Sequence, residues 1–235
     1  MPISKFTFDA NLIKQKIIEK GQDGFIMLLQ TLKEFDKTSK NSIILIDYRK
    51  ALKQFKLVLH SNDVDSSFAT YDTDNDGRTD IIALLQGIRG NMNEKRKELA
   101  KMVFKSIAFG GENVTFSLLK EKYNPKLHPA VMEGRKTMKE CLEEFISSFQ
   151  LLHSIQFNSK EVIDEAEFVE YYEYISACIS KEDYYEAMMN NVWGMDPNQK
   201  PMMLTSPIKT SLYGPNTEEI KIESKSDLSK MFSNK

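Results

Sequence analysis

The sequence predicts an all-α protein, built as two lobes of paired helix-loop-helix units with an extra helix in front and an extended tail behind. Three observations carry this expectation. Apolar residues recur at helical spacing in segment after segment, as one buried stripe per helix requires. Polar loops interrupt these stripes near residues 36, 72, 108 and 156, so the unit repeats roughly every 36 residues with one longer step. Beyond Gly194 the composition shifts, and four of the seven prolines (Pro197, Pro201, Pro207, Pro215) fall there among Ser, Thr, Asn and Lys. Such a segment cannot build a core of its own.

The elements follow in order. Residues 1–21 hold the first helix, with Leu12, Ile13 and Ile17 behind the cap Asp9 and a stop at Gly21. Residues 22–91 form the first lobe. Phe25, Leu28, Leu29, Leu32 and Phe35 lead into its first loop, and Tyr48, Leu52 and Phe55 lead out. Val64, Phe68 and Tyr71 enter its second loop, and Ile81, Leu84, Leu85 and Ile88 leave it. Gly87, Gly90 and Asn91 then break the pattern and mark the boundary between lobes. Residues 92–194 form the second lobe. Leu99, Met102, Val103 and Ile107 precede its first loop, and Leu118, Leu119 and Tyr123 follow. Residues 124–136, with Pro125, His128 and Pro129, form a second interruption, in which the proline rings forbid helix continuation and bias the preceding residues towards extended geometry. Met138, Cys141, Leu142, Phe145 and Phe149 then lead to the last loop, and Phe168, Tyr171, Tyr172 and Ile175 lead away. A closing helix over 182–193 places Tyr185, Met189, Val192 and Trp193 on one side, and residues 195–235 are the tail.

With 235 residues, 41% hydrophobic and 28% charged, the chain suits one large domain or two small ones, and disorder throughout is excluded. Thirty-two basic and 34 acidic side chains leave a formal charge of -2, so no global field favours nucleic acid or an anionic membrane. Two cysteines, Cys141 and Cys178, are too few for a disulfide framework or a structural zinc site. The N-terminus is charged throughout and no apolar stretch is long enough to span a bilayer, which reads as a soluble, cytoplasmic protein. Catalysis finds no support. His60, His128 and His153 lack HExxH spacing, there is no GxSxG, and Gly110-Gly111 lacks the GK[ST] of a P-loop. Cys141 lies on an apolar face and reads as a buried, inert thiol, and His128 between Leu127 and Pro129 reads as a turn residue.

One loop carries chemistry. Residues 72–83 read DTDNDGRTDIIA, with Asp72, Asp74 and Asp76 at alternate positions, Gly77 sixth and Asp80 ninth. This is the EF-hand calcium pattern: a hard cation wants six to eight oxygens, alternate residues of a tight loop point inward, and the sixth position needs positive φ. The candidate ligands are Asp72, Asp74, Asp76, the backbone carbonyl of Arg78, and Asp80. The twelfth position, which normally supplies a bidentate glutamate, is Ala83. The loop is therefore expected to be a weak calcium site, and its ligand type also suits magnesium, which keeps several waters.

The other loops read as silent. In 36–47, Asp36, Thr38 and Asp47 fit, but Lys40 puts an ammonium at a ligand position and Asn41 replaces the glycine. The loop at 108–119 has Glu112 as its one carboxylate. In the last loop Asp164 and Glu167 fit the ninth and twelfth positions, while Gln156 and Lys160 replace acids. Ile43, Val114 and Ile163 keep the apolar residue that pairs two loops through a short ribbon, and Thr79 is the polar exception.

Between the loops the chain resembles the calcyphosin family over about residues 9–195. The matching features are Tyr123 followed by Leu127-His128-Pro129-Ala130-Val131, Glu167-Phe168 with Tyr171-Tyr172 and Ser176, and Ala187-Met188-Met189 with Trp193. The resemblance implies four hands in two lobes, a non-enzymatic adaptor or calcium-responsive role, and association with motile cilia. Two functions follow as expectations. In the first, a degenerate EF-hand scaffold binds a larger assembly of the axonemal microtubule wall, with tubulin or other axonemal proteins as partners. Leu204, Ile208, Leu212 and Tyr213 are then candidate anchors in the tail. In the second, a regulator uses calcium in the 72–83 loop to control a target protein.

Overall fold

The computed structural model describes residues 10–157 and 162–195. Asp9, Lys160 and the tail with Leu204, Ile208, Leu212 and Tyr213 lie outside the described residues.

Helices form where the apolar stripes predict them. Helix α1 (Ala10–Ile18) buries Ile13 and Ile17 and turns Leu12 towards solvent. The first unit is α2 (Gly24–Glu34), strand β1 (Ser42–Ile44) and α3 (Leu45–Gln54), and the second is α4 (Ser61–Tyr71), β2 (Arg78–Asp80) and α5 (Ile81–Arg89). The third is α6 (Glu94–Ala108), β3 (Asn113–Thr115) and α7 (Phe116–Lys122). A 3-10 turn (Pro125–Leu127) and the short α8 (Pro129–Met132) follow. The fourth unit is α9 (Met138–Gln156), β4 (Val162–Asp164) and α10 (Glu165–Ala177), and α11 (Glu182–Trp193) closes the body.

Residues 124–136 interrupt the helical pattern as expected, and His128, directly before Pro129, is extended. Pro125 and Pro129 each open a short helical turn, at positions where the missing N–H has no partner to lose. His128 stabilises the second turn: its Nδ1 accepts a hydrogen bond from the Ala130 N–H at 3.1 Å. Met102 and Met138, expected on apolar faces, are about half exposed, because one lies beside the Leu99–Val103 stripe and the other opens α9. Helix α11 is buried beyond its expected side, with Tyr184, Met188 and Asn191 covered as well as Tyr185, Met189 and Val192.

The loops pair two by two. β1 runs antiparallel to β2 with Ile43 opposite Thr79, and β3 runs antiparallel to β4 with Val114 opposite Ile163. Thr79 is fully buried at its apolar position because its hydroxyl donates to the Phe68 carbonyl at 3.2 Å. Each ribbon ties two units into a lobe.

The lobes share one continuous core, which runs from Ile13 to Trp193. In the second lobe it is aromatic: Tyr123 stacks on Phe145 at 4.2 Å, Phe149 lies 4.6 Å from Tyr171, and the Trp193 indole N–H donates to the Tyr172 hydroxyl at 2.8 Å. One buried arginine reaches from the first lobe into the second, and another ties α6 to α10 and α11 within the second. Arg89, at the end of α5, lies 4.5 Å over the Tyr174 ring, donates to Glu170 Oε1 at 2.9 Å and pairs with Glu173. Arg96 donates to the carbonyls of Ser176 and Ile179 and to Glu182 Oε2, with its guanidinium 4.8 Å over Tyr185. Among the described residues, no helix is long and apolar enough to cross a membrane.

Candidate metal centre

Loop 72–83 hangs between α4 and α5 and is shaped by its own aspartates. Asp72 Oδ2 accepts from the Gly77 N–H at 3.1 Å, Asp74 Oδ1 from Asp76 at 3.4 Å and Asp76 Oδ1 from Arg78 at 2.8 Å. These turns curl the backbone around the side chains. Gly77 holds φ +81°, a left-handed conformation in which a Cβ brings strain. Asp80 caps α5, with Oδ1 accepting from the Ala83 N–H at 2.7 Å.

The result is a converging set of oxygens. One ligating oxygen each from Asp72, Asp74 and Asp76 lie within 4.8 Å of one another, the one such set of three or more His, Cys, Asp or Glu side chains among the described residues. Asp72 Oδ1 is buried and has no hydrogen-bond partner among the described residues. A buried carboxylate oxygen without a partner is costly unless a cation or water completes it. Arg78 does not neutralise the cluster, because its guanidinium crosses the ribbon to Ser42 Oγ at 3.0 Å. The donor set, all hard oxygen, fits a divalent cation such as calcium or magnesium.

The remaining loops place their polar groups differently. In the 36–47 loop Asp36 and Asp47 are buried, and both carboxyls meet lysines. Lys40, expected to intrude on this loop, is exposed, and Lys33 and Lys37 supply the ammonium groups instead. In the fourth loop the twelfth-position Glu167 faces inward, with Oε2 3.2 Å from His153 Nδ1. Burial, reinforced by Asp164, lifts the Glu167 carboxyl above its ordinary range. Gln156 donates to the Tyr174 hydroxyl at 3.2 Å. In the third loop Phe109 is exposed in a left-handed conformation, and Thr115 caps α7 at Leu118.

The His153–Glu167 pair and the two buried arginines are absent from the sequence reading. A signal for the arginines was present: Arg96 precedes Ala100, Val103 and Ile107 at helical spacing, and Arg89 follows Leu85 by one turn. Both thiols are buried. Burial raises the Cys141 thiol beside the Tyr123 hydroxyl and pushes Cys178 up to about 12.

Helix-loop-helix units joined by two-stranded antiparallel ribbons define the fold as paired EF-hands. No family model matches the chain. The chain is similar to crustacean calcium-binding protein 23 of Faxonius limosus, with 25% identity over 182 residues that span 77% of this chain and 88% of that protein.

Proposed function

We propose that this protein is a non-catalytic EF-hand scaffold that takes one calcium ion weakly in the 72–83 loop. The buried, unpartnered Asp72 Oδ1 at the head of three converging aspartates is the observation that carries the reading. The similarity to a protein named for calcium binding supports it. Asp72, Asp74 and Asp76 would hold the ion with the Arg78 carbonyl, and Asp80, whose Oδ1 already caps α5, would contribute through its other oxygen or a water. Without a twelfth-position carboxylate the affinity belongs on the order of 10⁻⁴ M, the weak end of the EF-hand range.

The way α5 is held supports scaffolding over switching. Ala83 gives the ion no grip on this helix. At its far end α5 is tied by Arg89 to Glu170 and Glu173 and by Lys14 Nζ to the Arg89 carbonyl at 2.6 Å. Gly87 faces the Tyr71 ring so closely that a Cβ would collide with it, which fixes α4 against α5. A calcium-responsive regulator would need this helix to swing free.

The calcyphosin-like features extend the proposal to an axonemal setting, with tubulin or other axonemal proteins as partners. Co-sedimentation of the purified chain with polymerised tubulin tests it. Pelleting with the polymer to the same extent in calcium and in chelator is expected of a scaffold. Pelleting in calcium alone would establish the regulator instead, and no pelleting in either would remove tubulin from the proposal.

A further inference from the structure

We propose that loop 36–47 is an EF-hand cation site filled by the protein's own side chains, with Lys33, Lys37 and Arg78 standing where a divalent ion would otherwise bind. The loop keeps oxygen ligands at its first, seventh and twelfth positions: Asp36, the Ser42 carbonyl and Asp47. Each is met by a cationic side chain. Lys33, from the last turn of α2, donates to Asp36 Oδ2 at 2.7 Å and to Asn41 Oδ1 at 2.6 Å. Lys37 donates to Asp47 Oδ2 at 2.7 Å, with Lys50 at 3.5 Å from the other oxygen. Arg78, from the opposite strand, reaches the Ser42 carbonyl at 3.4 Å and the Ser42 hydroxyl at 3.0 Å.

The first-position carboxylate is also saturated by its own loop. Asp36 Oδ1 accepts from the Thr38 hydroxyl at 2.9 Å and its N–H at 3.2 Å, and Oδ2 accepts from the Asn41 N–H at 2.8 Å. Asn41 holds the left-handed turn at φ 58° without glycine. Two carboxylates thus face two or three ammonium groups, so an incoming divalent ion gains no net attraction and must displace charge-assisted hydrogen bonds. The carboxyls respond as ion-paired groups do. For Asp36 burial acts upward, but the Lys33 and Thr38 hydrogen bonds outweigh it and hold the group below the usual carboxylate range. For Asp47 the Lys37 hydrogen bond lowers the group in the same sense. The ribbon therefore has one loop that folds without metal and one left for the ion.

Pulsed acylation of amines on the full-length chain, read by peptide mass spectrometry, tests this directly. Lys33 should react about tenfold more slowly than the exposed Lys40, as an ammonium held by charge-assisted bonds must first be released. Its protection should be the same in chelator and in millimolar calcium. Reaction of Lys33 at the rate of Lys40, or faster labelling when calcium is added, would overturn the proposal. Thermal melts in chelator give a second readout: Lys33→Met should lower the midpoint and Lys33→Arg should retain it, whereas an unchanged midpoint in Lys33→Met would count against it.

Discussion

Loops 36–47 and 72–83 lie side by side on one ribbon, with Ser42 opposite Asp80 and Ile44 opposite Arg78, yet they handle negative charge in opposite ways. In the first, Asp36 is enclosed by an ammonium, a hydroxyl and two backbone N–H groups. In the second, Asp72 uses one oxygen for the Gly77 N–H and leaves the other buried and, among the described residues, unpartnered. The same backbone curl can thus be stabilised by internal cations or left to an external one. Even the arginine of the second loop serves the first, since Arg78 leans across to Ser42 and away from the aspartates.

The largest expected consequence lies in the self-sufficient loop. Asp36→Ala leaves the Thr38 and Asn41 donors without their acceptor and should lower stability in chelator by about 2–3 kcal/mol, read by urea unfolding. Equal losses for Asp36→Ala and Asp72→Ala would erase the distinction between the loops. Next, Ala83→Glu restores the twelfth-position carboxylate and should tighten calcium about tenfold, ~1.4 kcal/mol by titration. If affinity does not move, the loop is not organised as an EF-hand site.

Acid sensitivity sharpens the comparison once a second source is removed. His128 is buried and neutral, and desolvation, with Lys136 and Arg135 nearby, lowers its pKa to about 3. Between its unfolded value near 6.5 and that folded value the unfolded chain binds the extra proton, so stability falls as pH falls, by up to about 1.4 kcal/mol per pH unit. His128→Asn keeps a helix-capping acceptor and should flatten this slope between about pH 6 and 4. What then remains includes the contribution of Asp36 and Asp47, beside Glu98 and Glu140, whose carboxyls are also held low by their hydrogen bonds. Their folded pKa values are depressed, so this contribution is intact above about pH 4, the unfolded carboxylate value, and is lost as pH falls through the lower folded values. If Lys33→Met leaves the profile below pH 4 unchanged in the His128→Asn background, the Lys33–Asp36 pair adds nothing. The smallest effect is for Asp72→Ala without ion, about 1 kcal/mol or less, because one hydrogen bond to Gly77 is lost.

Much of this was legible in the sequence for physical reasons. Stripes such as Ile81, Leu84, Leu85 and Ile88 have the period of a helix, and the alternate aspartates before Gly77 do converge in one loop. Ribbon partners such as Val114 and Ile163 follow from the same loop grammar. Long-range polar pairing was not legible. Arg89 meets Glu170, and His153 meets Glu167, through the packing of distant helices, and no local period encodes those distances. Lys40 was the lysine at a ligand position of its loop, but a flexible side chain goes where its counter-charge lies, and the carboxylates were within reach of Lys33 and Lys37. The prolines near 125–129 signalled the break and the extended residue before Pro129, though not the short helical turns that they themselves open.

Calcium titration by calorimetry, in millimolar magnesium, tests the central claim most directly when the wild-type chain is set beside an Asp72→Ala, Asp74→Ala double variant. The account predicts one site per chain with a Kd on the order of 10⁻⁴ M, lost in the double variant while the fold persists. Two or more sites per chain, or binding that survives the double substitution, would contradict it.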